Sequence, residues 1–151
     1  MARILIVYHS QTGNTRRMAE ALAEGAAGIE GTAVRLQRAE ETVTEDLVAA
    51  DGIAFGTPEC FGTLSGMLKD LFDRTFYAAQ GRVFRKPYLL FVSAGNDGRG
   101  AVAAVERIAL GYPFKKVYEP LVARGEVTAE VLEKCRELGG TLAAGCDLGI
   151  Y

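Results

Sequence analysis

Ile4 to Tyr8 is an unbroken apolar run that stops at His9-Ser10-Gln11. Such a run suits a strand buried on both faces. From Asn14 to Ala27 the period turns helical, with Met18, Leu22 and Ala26 recurring every four residues and Ala19 and Ala23 beside them. Thr32 to Leu36 alternates, Val34 and Leu36 against Ala33 and Arg35, which predicts a sheet-edge strand with one wetter side. Asp51 to Gly56 reads as a third short strand, and the helix after it places Leu64, Met67, Leu68, Leu71, Phe72 and Phe76 on one face. Tyr88 to Val92 is the strongest buried-strand signal in the chain. Gly98 to Leu110 predicts a weaker helix, and Lys116-Val117-Tyr118-Glu119 a short strand at the opposite edge. The last helix starts near Thr128, a residue suited to an N-cap, and turns Leu132, Cys135, Leu138, Leu142 and Cys146 inward.

Five strands alternating with helices predict an α/β fold, a doubly wound five-stranded parallel sheet with helices on both faces. Strands one, three and four are the apolar ones and belong in the centre; two and five are edges. The order 2-1-3-4-5 satisfies that ranking. The 151 residues suit a single domain spanning 1–151, and 49% hydrophobic content supplies its core.

Charge and cysteine usage narrow the partners. Seventeen basic side chains against 19 acidic ones leave a net of −2, without the basic excess of a nucleic-acid binder. Cys60, Cys135 and Cys146 form no CxxC pair and no zinc spacing, which fits a reduced, cytoplasmic setting. The N-terminal apolar run is too short for a signal peptide, and no run approaches the roughly 18 residues of a membrane span.

Ligands of an open parallel sheet bind beyond the carboxyl ends of the strands, where the strand order reverses. Here that point lies between strands one and three. The first loop there, His9-Ser10-Gln11-Thr12-Gly13-Asn14-Thr15, precedes a helix. Unpaired N–H groups at a helix start suit a phosphate. Ser10, Thr12 and Thr15 offer hydroxyls, and Gly13 permits close backbone approach. The bland alternative is a turn with an N-cap, since these residue types favour such places anyway. Its position after a buried first strand tips the reading toward phosphate.

Ser10-Gln11-Thr12-Gly13-Asn14-Thr15 resembles the S/T-x-T-G-x-T phosphate loop of flavodoxins. The stretch from Asp51 to Pro58, followed by Phe61-Gly62 and Met67-Leu68-Lys69, is similar to the quinone reductases of the tryptophan-repressor-binding-protein type. The resemblance implies a flavodoxin-like fold holding FMN. It places Thr57, Pro58, Glu59, Cys60, Phe61 and Gly62 beside the isoalloxazine ring, mainly through backbone, with Gly62 as the peptide that turns over on reduction. The competing reading makes Phe61 a core residue and Gly62 a helix start. The third loop, Ser93-Ala94-Gly95-Asn96-Asp97-Gly98, resembles the family loop along the pyrimidine edge, with Asn96 as a donor to a ring carbonyl. It lacks the aromatic that many flavodoxins stack on the flavin.

Several residues invite roles that the sequence does not support. His9 has no carboxylate or cysteine placed to work with it. Cys60 reads as a small loop side chain before a redox thiol, Arg16 and Arg17 as solvent-exposed, and Glu59 as untested toward substrate. A receiver domain would need an aspartate where Gly56-Thr57-Pro58 stands. A low-molecular-weight phosphatase would need C-x5-R after strand one, and neither GxGxxG nor GxxxxGK[ST] is present. Two functions follow from the resemblance. One is an electron carrier docking on a redox partner protein. The other is an oxidoreductase using NAD(P)H plus a quinone or similar acceptor. No membrane and no metal enter either reading, and a homodimer is compatible with both.

Overall fold

The computed structural model describes residues Met1–Tyr151. Its strands are β1 (Arg3–Tyr8), β2 (Ala33–Arg38), β3 (Gly52–Pro58), β4 (Pro87–Ala94), β5 (Lys115–Lys116) and β6 (Leu121–Arg124). They alternate with helices α1 (Asn14–Ala27), α2 (Thr44–Ala49), α3 (Gly66–Ala79), α4 (Arg99–Gly111) and α5 (Ala129–Leu148). All pairings are parallel, in the order β2-β1-β3-β4-β5, and β6 also pairs with β4. The doubly wound flavodoxin-like arrangement is the one the polarity of the strands implies.

Side chains alternate across the sheet and build two cores. Leu5, Val7, Ile53, Phe55, Leu90 and Val92 pack with α3 and α4. Ile4, Ile6, Ala54, Leu89 and Phe91 pack with α1 and α5. Each of these side chains larger than Ala54 contributes about 1.5–3 kcal/mol on burial, which is why the central strands carry no polar face. Gly56 lies opposite Phe91 in the β3–β4 register, and a Cβ there would sit 2.2 Å from the phenyl ring. Across the second core, α1 and α5 meet backbone to backbone. A Cβ on Gly25 would lie 1.9 Å from the Arg136 carbonyl oxygen, and one on Gly139 2.0 Å from that of Leu22. This contact fixes the axis of α1, and so the position of its N-terminus.

Three elements depart from expectation. The fifth strand is split. Lys115 and Lys116 pair with Pro87 and Tyr88, and pairing resumes only at Leu121, opposite Phe91. Val117 to Pro120 therefore stand against Leu89 and Leu90 alone and bow out of the sheet; Pro120 has no N–H for the ladder. Met67, expected inward, is 42% exposed. Helix α3 begins at Gly66, capped by the Ser65 hydroxyl accepting from the Leu68 N–H at 3.3 Å, and buries Leu68, Leu71, Phe72 and Thr75. Between β2 and β3 the chain adds a 3-10 turn at Ala39–Glu41 and the short α2. Arg74 pins the turn by donating to the carbonyls of Thr42 and Ala39, each at 3.0 Å. No helix is long and apolar enough to cross a membrane.

Candidate functional site

The loops after β1, β3 and β4 meet at the carboxyl ends of the strands where the order reverses. Hydrogen bonds join them. The His9 N–H donates to the Gly56 carbonyl at 3.1 Å, and the Glu59 N–H to the Ser93 carbonyl at 2.8 Å. The hydroxyls of Thr15 and Ser93, both buried, share a bond of 2.8 Å. If Ser93 donates in that bond, the Thr15 proton stays free for a ligand.

The first loop has an open helix start. Gly13 is the N-cap of α1, at φ +102°, with open space where a Cβ would point. The Ser10 hydroxyl oxygen accepts from the N–H groups of Gly13 at 3.2 Å and Arg16 at 3.3 Å, so its own proton is free to donate outward. The N–H groups of Gln11, Thr12, Asn14 and Thr15 have no acceptor in the protein. The other long helices differ. Ser65 caps α3, Thr128 caps α5 at 3.2 Å, and Glu59 caps α4 from another loop. Helix α1 thus keeps its unpaired donors and partial positive charge for an anion. Gln11 and Thr12 are exposed; Gly13 and Asn14 are half-buried.

The second loop spends its side chains on its own shape. Thr57 Oγ1 donates to the Pro58 carbonyl at 2.8 Å and accepts the Ser65 N–H at 2.9 Å. The Glu59 carboxylate turns to α4 and accepts from Gly100 at 3.1 Å and Ala101 at 3.4 Å. Cys60 and Thr63 exchange both backbone bonds, at 2.8 and 3.0 Å. Between them Phe61 has φ +49° and Gly62 φ +78°, the type I′ signature. A phenylalanine in that region costs about 1–2 kcal/mol. Its side chain is fully exposed, so the core reading of Phe61 does not hold, and Gly62 lies in the turn ahead of α3. Burial pushes the Cys60 thiol up, away from a reactive thiolate.

In the third loop Ser93 and Ala94 are buried, while Gly95, Asn96 and Asp97 are exposed. Asp97 accepts the Arg99 N–H at 3.1 Å, and the Gly125 N–H anchors the loop on the Ala94 carbonyl at 2.7 Å. His9 is half-buried with Nδ1 enclosed and unpartnered, and Arg16 and Arg17 are exposed. Two features went unforeseen. The first is the reach of Glu59 to α4, which no local pattern signals. The second is Gly100, where a Cβ would lie 1.7 Å from the Gly62 carbonyl oxygen.

The Glu59 cap carries a measurable consequence. Glu59→Ala leaves two helix N–H groups unmet and is expected to cost about 1–2 kcal/mol in urea unfolding. Glu59→Gln should recover part of that loss. Wild-type stability in Glu59→Ala would remove the cap from the account.

Unmet N–H donors with hydroxyls beside them suit a phosphate without any lysine or metal. Two further loops along the same crevice suit a flat ring read through backbone. Fold and site together define a doubly wound mononucleotide-binding protein. The pattern of the NADPH-dependent FMN reductase family matches residues 2–118. A flavodoxin of Aquifex aeolicus (strain VF5) is 35% identical, over 95% of this chain and 86% of its own length. An NAD(P)H dehydrogenase (quinone) of Acidithiobacillus ferrooxidans is 36% identical, but over 66% of this chain and 60% of its own. The solved structure of a WrbA-like flavodoxin from Agrobacterium tumefaciens superposes with TM-score 0.80 at 27% identity, covering 98% of this chain and 99% of that one. The chain belongs to the flavodoxin-like family that includes the NADPH-dependent FMN reductases. It is an FMN-binding redox protein that transfers electrons through the flavin.

Proposed function

We propose that the chain takes electrons in pairs from NADPH and passes them to a quinone or similar small acceptor. In this reading Ser10, Gln11, Thr12, Gly13, Asn14 and Thr15 hold the flavin phosphate. The segments Thr57–Gly62 and Ser93–Asp97 frame the ring, largely by backbone. Bound FMN supplies the hydride and electron chemistry, and the protein supplies position and electrostatics. Free Cys60, Cys135 and Cys146 suit a cytoplasmic setting.

The observation that carries this reading is the fixed turn at Cys60–Thr63. A carrier that exchanges electrons singly gains from a peptide beside the ring that can turn its carbonyl over. Turning over the central peptide here converts type I′ into II′, which wants glycine at the first central position. Phe61 occupies that position. The next peptide along is also confined: its Gly62 carbonyl oxygen would lie 1.7 Å from a Cβ on Gly100. A loop held in one arrangement offers no separate state to a single electron. The small, exposed third loop leaves room for a planar nicotinamide or quinone, and exposed Phe61 offers an apolar wall. A second reading, delivery of single electrons to a protein partner, draws support from the near full-length likeness to the Aquifex flavodoxin.

The test mixes FMN-loaded protein with NADPH and a benzoquinone. Many equivalents of NADPH should be consumed per protein. Absence of turnover, together with a long-wavelength absorbance band at half reduction under illumination, would replace the reductase with the carrier.

A further inference from the structure

A groove of about 470 Å³ runs between α3 and α4, on the face of the sheet away from α1 and α5. None of its lining residues lies in the segments given to the flavin. Leu64, Phe72, Phe76, Ala104, Ile108 and Tyr112 make its walls and floor. Phe72 and Phe76 both meet the Tyr112 ring edge to face, at 5.7 and 5.3 Å between centroids. The Tyr112 hydroxyl turns inward and donates to the Phe72 carbonyl at 2.6 Å, so it holds no free proton for a ligand. Lys69, Asp73 and Arg107 stand exposed along the rim, and Lys69 and Asp73 satisfy each other at 2.8 Å. The upper end of the groove is the Cys60–Thr63 turn. Thr63 is part of the lining, and Ala104 lies one helical turn beyond Gly100, whose missing Cβ leaves room for the Gly62 carbonyl oxygen. Phe61, at the tip of that turn, is fully exposed.

We propose that this groove holds the isoprenoid tail of the acceptor, which makes that acceptor a lipid quinone; the inference rests on the reductase reading above. Continuity is the first reason. The turn that this reading sets beside the ring is also the upper wall of the groove, so one molecule can place its head at the ring and its tail beyond the turn. Phe61 is the second. A phenylalanine strained at φ +49° and left wholly in water has no packing reason within the chain, and it offers the tail an apolar crossing from ring to groove. Size is the third. From Ser65 to Phe76 helix α3 rises about 16 Å, which leaves the groove a cross-section of roughly 30 Å². A helix about 10–12 Å across does not fit there, whereas a single apolar chain does. Burial takes the tail's surface out of water and gives it dispersion contacts with the aromatic wall. The tail takes no part in the reaction. The head gains two electrons and two protons to become the quinol, NADPH supplying the hydride and solvent the second proton.

The decisive comparison uses two benzoquinones with the same head, one carrying a methyl group and one a geranyl chain, as acceptors for FMN-loaded protein with NADPH. The geranyl compound should show a kcat/KM at least about tenfold higher. Ala104→Phe fills the groove and should remove that advantage, with turnover of the methyl compound and quenching of FMN fluorescence unchanged. Geraniol, which has no redox chemistry, should bind the oxidised holoprotein in calorimetric titration. It should compete with the geranyl quinone but not with the methyl one, and its binding decides the matter should Ala104→Phe not fold. Equal kcat/KM for the two quinones, or full advantage in Ala104→Phe, would overturn the groove. A fall in apparent mass in Ala104→Phe, with the quinone ratio unchanged, would give the groove to a second copy of the chain instead. Turnover of the methyl compound without geraniol binding would strike the groove and keep the reductase reading. Geraniol binding that is lost in Ala104→Phe, with neither quinone turned over, would do the reverse.

Discussion

Aspartate in place of Gly13 is expected to weaken FMN binding by a hundredfold or more while leaving the apoprotein folded. Position 13 is the N-cap of α1, so an aspartate there brings a carboxylate to the open helix start. Its carboxylate would lie against the unpaired N–H groups that the proposed phosphate site uses. The protein would carry its own anion where the ligand's belongs. Each hydrogen bond to a charged group is worth about 1.5–3 kcal/mol, so losing two costs at least ~3 kcal/mol before like-charge repulsion is counted. Backbone strain works in the same direction, since φ +102° favours glycine. Gly13→Ala separates the two causes. It carries the strain without the charge and should weaken binding far less. Quenching of FMN fluorescence measures both variants, and urea unfolding of the apoproteins checks the fold. An aspartate variant that binds within threefold of wild type would mean the phosphate sits elsewhere.

The contrast between Gly13 and Glu59 shows where sequence reading succeeds. The first loop is legible because its physics is local. An apolar strand ends, a helical period begins at Asn14, and the residues between are those a helix start and a phosphate both want. Helix α1 accordingly runs Asn14–Ala27, as its periodicity implies. The central strands are legible for a similar reason, since burial on both faces favours apolar side chains, with Thr57 and Ser93 the exceptions near the strand ends. What fails is long-range. Glu59 reaches α4 across 41 positions, and Arg74 holds the turn at Ala39 from 35 positions away. No window along the chain contains both partners. The split at Val117–Pro120 had a local sign in Pro120, but short edge strands carry too few residues for a period to register. Met67 was misplaced because the helix start, set by Ser65, decides which face is inside.

Gly100→Ala is expected to lower stability by about 1–3 kcal/mol, more than loss of the Glu59 side chain does. Its Cβ would lie 1.7 Å from the Gly62 oxygen and 2.5 Å from the carbonyl carbon. Both are backbone atoms and cannot rotate aside. Either the first turn of α4 moves, straining the bonds from Gly100 and Ala101 to Glu59, or the Cys60–Thr63 turn moves and loses its paired bonds. Both outcomes disturb the loop after β3, which the proposal sets beside the ring, and leave the loop after β1 in place. FMN should therefore still bind, with a smaller loss than in Gly13→Asp, while the turnover expected of the proposed reductase falls. Pairing Gly100→Ala with Glu59→Ala adds a sharper check. The two share one contact, so their costs should sum to more than the double variant shows. Wild-type urea stability in Gly100→Ala would mean that α4 and the turn yield freely. The proposed preference for paired over single electron transfer would then lose its structural basis.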